Sequence, residues 1–385
     1  MMNSRSLLTS GALLLFLAIF LSGCTLGPRS ETIVIPSKEE TQTDELNSRP
    51  FQVKAIYRFF NTFAETDQML GWSATDSVIG LFRKASTTEG VTWNLGRLPF
   101  PYEKFELLKK IDANTAFLEL SPDGKQISKM AMSASGASLK LISLPDGKET
   151  EVVNYHSSQS LYLQDVEWSN NSRYVCFLIQ DASMKGKARV GVYDNDSGSY
   201  KTYQLKDIER GRTLTGVNIS DDGHSVLLTL FENKSGRSNR IVMGMINGSD
   251  IIVKYEHQTG REQNAWLNND QFVYLGTDGT LYEYDRRTSE LTVLLDKVSN
   301  FEFSRDRKYV AYSLYDKDTI FVGKLQGKNV LYEEPVYHGV IPSKIFWSPD
   351  NKSLLIHGRK YYSSVQGGLI ESNTADELPF VLTFQ

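Results

Sequence analysis

Residues Ile345 to Ile356 read IFWSPDNKSLLI: an apolar pair, a tryptophan, a Ser-Pro-Asp-Asn turn and a second apolar run. The same grammar recurs along most of the chain. With Trp347 as anchor, equivalent anchors stand at Trp72, Leu120, Trp168, Ile219, Trp266 and Phe303. Serine follows the anchor in six of the seven copies, Leu267 being the exception. Asp or Asn stands three residues after it in six: Asp123, Asn171, Asp222, Asn269, Asp306 and Asp350. Seven residues after it comes an aliphatic every time: Ile79, Ile127, Val175, Val226, Val273, Val310 and Leu354.

Successive anchors lie 37 to 51 residues apart, close to the period of four-stranded propeller blades at about 40 to 50 residues. Helical repeats of similar period do not fit, because the anchors are followed by turn chemistry such as Ser121-Pro122-Asp123-Gly124, and then by β-rich runs such as VLLTLF and YVAYSL. A second hairpin follows in each unit, as in LISLPDGKETEVV. Each unit therefore predicts four strands, a to d, with the anchor at the end of a. The fold class expected is all-β: a propeller of seven blades by motif count, or six if the degenerate first copy does not complete one. Four of the five tryptophans are anchors, which marks them as packing residues between neighbouring sheets rather than sugar-stacking platforms. The run FQVKAIYRFF from Phe51 to Phe60 either pairs with the last blade or leaves LPFVLTFQ at 378–385 to complete it unaided.

The chain begins with Arg5, an apolar run GALLLFLAIFL, and Leu21-Ser22-Gly23-Cys24. This is the pattern of an export signal, and its last four residues form a lipobox. The domains expected are a signal peptide at 1–23, a lipidated N-terminus and polar linker at 24–50, and the propeller at 51–385. The alternative of an uncleaved membrane span fits the short apolar run less well. Removing the signal takes away Arg5 alone and leaves 41 basic against 46 acidic residues, which argues against nucleic acid as a partner. The second cysteine, Cys176, lies in the strand-like run YVCFLI, so the mature chain is expected to hold no disulfide and no cysteine-based zinc site.

The copies LELSPDGKQI, VNISDDGHSVLL and IFWSPDNKSLLI resemble the W-S-P-D-G repeats of TolB-type propellers, also found in the propellers of prolyl oligopeptidase relatives. Taken with the lipobox, the chain resembles the YqgU-like propeller lipoproteins of Gram-positive spore formers. The resemblance implies lipid attachment at Cys24 and an extracytoplasmic location on the cell membrane. It implies nothing about activity. Copies three, five and six lack both the Pro and the Gly of the motif, and no hydrolase domain follows.

No Gly-x-Ser-x-Gly, His-Glu-x-x-His, Walker or dinucleotide motif occurs, so the reading favours a binding or scaffolding module over an enzyme and calls for no cofactor. The alternatives are an enzyme on cell-wall or peptide substrates with residues drawn from several blades, or an accessory subunit of an envelope complex. Asp194-Asn195-Asp196-Ser197-Gly198 falls where each unit has its c–d turn, and the hairpin reading outweighs that of a calcium loop. His156, His257 and His338 come from connections between blades and read as loop residues rather than metal ligands.

In an antiparallel meander the a–b and c–d turns share one end, while b–c loops and blade connections share the other. Cations collect at the second end: Arg83, Lys84, Lys185, Lys187, Arg189, Lys234, Arg237, Arg240, Arg359 and Lys360. They form a candidate rim for an acidic envelope protein or an anionic surface polymer, weighed against ordinary solvated loop charge. Glu119, Glu167 and Glu302 each precede an anchor in the innermost strand and are candidate channel-lining residues. Beyond the membrane and such a partner, a monomer is expected.

Overall fold

In a computed structural model, the described residues are 32–34, 51–59, 65–86, 90–181, 188–205, 212–232, 238–260, 263–315, 317–360 and 379–385. The signal peptide and Cys24 lie outside them. Nearly all the described structure is β-strand, in six hydrogen-bonded sheets arranged as a propeller-like ring. No helix among the described residues is long and apolar enough to cross a membrane.

The N-terminal strands are β1 (Thr32–Val34) and β2 (Val53–Arg58). Two four-stranded meanders follow: β3 (Glu65–Ala74), β4 (Ser77–Ser86), β5 (Gly90–Pro99) and β6 (Glu106–Ile111), then β7 (Thr115–Leu120), β8 (Gln126–Ser133), β9 (Gly136–Ser143) and β10 (Glu149–His156). Next come β11 (Leu161–Trp168), β12 (Tyr174–Asp181), β13 (Ala188–Asp194) and β14 (Ser199–Leu205). They are followed by β15 (Arg212–Ile219), β16 (Ser225–Glu232), β17 (Ser238–Asn247) and β18 (Asp250–Thr259). These last two meanders are one eight-stranded sheet, because the outer strands β14 and β18 pair in parallel at Gln204–Asp250 and Leu205–Ile251. The motif count of seven blades is therefore corrected: the strands form six sheets. The reduction comes from this outer-edge pairing, not from the first copy, which completes its own four strands.

Two more meanders are β19 (Asn264–Trp266), β20 (Gln271–Leu275), β21 (Leu281–Asp285) and β22 (Glu290–Leu295), then β23 (Val298–Phe303), β24 (Tyr309–Leu314), β25 (Thr319–Gln326) and β26 (Asn329–His338). The last sheet runs β27 (Val340–Trp347), β28 (Ser353–Lys360), β29 (Phe380–Phe384), β2, β1. Both terminal runs are thus used: β29 is its third strand, and β2 pairs antiparallel with β29, Ile56 opposite Leu382. The short β1 then covers the edge of β2, Ile33 opposite Ile56, so an apolar patch within the polar linker has a structural partner.

Every anchor lies at or within two residues of the end of an inner strand and is buried, and the aliphatic seven residues later is fully buried in every copy. These side chains build seven core clusters, each shared by two successive meanders. One joins Leu355 and Val381 of the last to Met69, Trp72 and Val78 of the first. Burial of each such side chain is worth about 1.5–3 kcal/mol, and because every cluster needs two meanders, no meander is stable alone.

The Ser-x-Asp element explains itself in the turns. Ser121 Oγ donates to Asp123 Oδ1 at 2.6 Å and accepts the Gln126 N–H, while the same carboxylate oxygen accepts the Lys125 N–H. Equivalent bonds recur at Ser169–Asn171, Ser220–Asp222, Ser304–Asp306 and Ser348–Asp350. In the fifth copy, where Leu267 replaces Ser, Asn268 Oδ1 accepts the Asp270 and Gln271 N–H groups instead. Gly124 completes its turn at φ +75°, where a Cβ would sit 2.5 Å from the Trp72 carbonyl oxygen of the neighbouring meander, so glycine is required there.

Candidate functional site

The residue before each anchor lies on the strand face opposite the anchor's. In this ring these residues reach the centre: Gly71, Glu119, Glu167, Asn218, Ala265, Glu302 and Phe346 all line one cavity of about 300 Å³, with the anchors Trp72, Leu120, Trp168, Phe303 and Trp347 beside them. The inner strands pack in chain order around it, β3 on β7, β7 on β11, β11 on β15, β23 on β27, and β27 back on β3. Indole bonds tie neighbours together on the way: Trp72 Nε1 donates to the Phe346 carbonyl at 3.1 Å, and Trp347 Nε1 to that of Glu302 at 3.0 Å.

The structure brings the three predicted glutamates together in this cavity. The carboxyls of Glu119 and Glu167 hydrogen-bond to each other. Desolvation raises both, and mutual repulsion helps hold Glu167 well above the ordinary range; Glu119 is pushed up to about 8. Both carboxyls are therefore shifted toward the protonated form at neutral pH. Glu302 is raised to about 7 by burial, against the opposing pull of Arg307 and Lys344.

Three cations that the sequence reading did not single out also line the cavity: Arg305, Arg307 and Lys344. Both arginines come from the a–b turn after β23, and Lys344 from β27. Lys344 could have been found by alternation, since it stands two residues before Phe346. Arg307 carries a different signal, for it occupies the turn position of Gly124 and Gly223. It adopts the left-handed conformation itself, at φ +60°, which for a non-glycine residue costs about 1–2 kcal/mol. Burial lowers the Arg307 pKa, while Glu302, Asp221 and Asp306 act to keep it charged. A second cavity of about 420 Å³ adjoins the first at the a–b turns and shares Asn170, Arg305 and Arg307 with it.

Both cavities reach the a–b turn end of the ring, opposite to the end where the b–c cations were read. Of those cations, Lys185, Lys187, Lys234 and Arg237 lie outside the described residues, and so does the side chain of Lys84. Arg359 and Lys360 end β28 and are exposed; Arg83 and Arg189 are half-buried within β4 and β13. Arg240 is engaged with Glu232 and Glu256, which Arg212 also contacts, Nη1 to Glu256 Oε2 at 3.2 Å. It belongs to a cross-strand ion cluster in the fourth meander.

No group of three or more metal-ligating side chains occurs among the described residues. His257 stacks on Tyr255, and His338 Nδ1 meets the Thr319 hydroxyl at 2.9 Å. The Asp194–Gly198 run is the β13–β14 turn, where Arg173 holds the Asp194 carboxylate down to about 2.

No family model and no curated protein matches the sequence. Solved structures do. A chain of a mitotic checkpoint complex aligns with a TM-score of 0.54 at 12% identity, covering 94% of this chain and 100% of that one. The β-propeller domain of the Trilobed protease from Pyrococcus furiosus aligns at 0.51 and 12%, covering 78% and 91%. Pyrococcus horikoshii acylaminoacyl peptidase aligns at 0.53 and 13%, covering 78% of this chain and 50% of its own. At such identities the likeness shows the fold alone: the chain is a β-propeller.

Proposed function

We propose that this protein is a lipid-anchored, extracytoplasmic β-propeller of the YqgU-like kind that acts as a binding module at the cell envelope. The observation that carries the binding reading is the central cavity, to which every inner strand contributes a polar, small or apolar side chain. Concave sites of this kind with a few placed polar groups are the usual form of a ligand site. The lipobox supports attachment through Cys24, since two acyl chains on one residue hold a protein stably at a bilayer. The eight-stranded sheet spans two of the seven sequence repeats, and seven core clusters alternate with the seven meanders. Its partner is an acidic envelope protein or an anionic surface polymer docked on the b–c cations.

Two experiments test this. Cys24→Ala should abolish labelling by a radioactive fatty acid and release the protein from membranes; persistent labelling refutes the anchor. Reversing charge at Lys185, Lys187, Lys234 and Arg237 should weaken capture of the partner from membrane extracts, whereas the same change at Lys125, Lys148, Lys308 and Lys352 should not. Equal loss from both sets refutes the rim.

The raised carboxyl pair Glu119–Glu167 favours a second reading, acid–base hydrolysis of a cell-wall or peptide substrate. Hydrolysis of such substrates that is lost in Glu167→Gln would replace the binding reading.

A further inference from the structure

Charge in the central cavity is segregated. The carboxyl pair comes from β7 and β11 on adjacent meanders, and the three cations come from β27 and the turn after β23. Around a closed ring, these two groups face each other across the axis. Glu302 stands with the cations, and together with Asp221 and Asp306 it offsets part of their charge. Two buried polar atoms at the acidic side lack partners among the described residues: Glu119 Oε2, and Nε1 of Trp168, a cavity residue only 4% exposed. In Trp72 and Trp347 the equivalent N–H groups are bonded, while that of Trp266, which does not line the cavity, also lacks a partner among the described residues. Buried polar atoms left in this way cost about 1–3 kcal/mol each; an ammonium supplies the donor that Glu119 Oε2 lacks, whereas the Trp168 N–H, itself a donor, needs an acceptor.

We infer that the channel binds a small zwitterion of amino-acid to dipeptide size, its ammonium group held by Glu119 and Glu167 and its carboxylate by Arg307, Arg305 and Lys344. The volume, about 300 Å³, lies at the small end of ligand pockets. Pairing is charge-assisted at both ends, and the distance between the two groups selects ligand length. An ammonium beside the raised carboxyls favours their ionised form, so binding releases protons near neutral pH. Arg307 explains its own turn: glycine would be less strained there, yet only a long cationic side chain reaches across to a carboxylate.

This inference takes the binding reading further and rests on it. Its test uses the full chain in detergent and calorimetric titration with L-alanine, L-alanyl-L-alanine, the N-acetylated dipeptide and the dipeptide amide. One of the two uncapped compounds should bind, and which of them binds tighter sets the ligand length. Each capped form should bind at least about tenfold more weakly than the free dipeptide, a loss of about 1.4 kcal/mol per blocked end. Glu167→Gln should weaken the amide, which keeps only its ammonium, whereas Arg307→Gly should weaken the N-acetyl form. Arg307→Gly places at this turn the residue that copies two and four already hold, so the fold should be kept, as a thermal melt will show. Absence of binding by either uncapped compound up to about 10 mM, or equal affinity for capped and free dipeptides, overturns the inference. Partner capture on the b–c cations does not depend on Glu167. Intact capture without zwitterion binding would therefore refute the channel ligand and leave the binding module standing.

Discussion

Ser220 and Asp222 close their turn through a 2.6 Å hydrogen bond from the serine hydroxyl to the carboxylate, while the same hydroxyl accepts the Ser225 N–H at 3.0 Å. Ser220 is fully buried, so its partners cannot turn to water when it is removed. Ser220→Ala should lower stability by about 1–3 kcal/mol, read as a lower urea midpoint at unchanged slope. Asn268→Ala in the fifth copy should cost a similar amount, since that side chain fills the same role from a neighbouring position. Equal stability of wild type and Ser220→Ala would show that the turn is held by other means.

The raised channel carboxyls set a pH dependence with a definite sign. Glu302 and Glu119 hold protons in the folded state up to about 7 and about 8, against an ordinary value of 4.5. The folded chain therefore binds more protons than the unfolded one between these values. The stability they contribute is fully present below about pH 4.5 and is lost as pH rises through 7 to 8. Denaturant midpoints measured across this range should fall for the wild type and fall less for Glu119→Gln and Glu302→Gln.

Glu256 joins Arg212 and Arg240 in the fourth meander, where all three side chains are largely buried. Glu256→Gln should cost about 1–3 kcal/mol, because two guanidinium groups lose a charged partner. Thermal melts at low and high salt should show nearly the same loss, since partly buried pairs are screened less than exposed ones.

Cys176 lies fully buried in β12, and burial, with Glu167, Asp165 and Glu119 nearby, pushes its thiol well above the ordinary range. It should resist a thiol reagent in native buffer and react promptly in denaturant. Fast native labelling would contradict its place in the second strand of that meander.

Much of this was legible in the sequence because it repeats. The anchor, the serine after it and the aliphatic seven residues on each answer a local physical demand met once per meander, so each recurs at fixed spacing. Glu119, Glu167 and Glu302 followed from the same register by simple alternation. The parallel contact of Leu205 with Ile251 left no mark, because outer-edge pairing is made by backbone groups that every residue carries. Arg307 was overlooked because it departs from the repeat, standing where glycine is expected. Lys344 was passed over for a plainer reason: alternation was read one residue before the anchor and not three.

The strand that closes the ring is also the strand next to the linker. β2 joins the body of the last sheet through its pairing with β29, and apart from β1 every other strand of that sheet comes from farther along the chain. Tension applied through the N-terminal residues is therefore carried first by β1 on β2 and then by β2 on β29, before any complete meander is loaded. The N-terminal approach to the ring and its seam are mechanically the same place. A pull on the linker would open the propeller there, and a molecule seated across the channel would resist it.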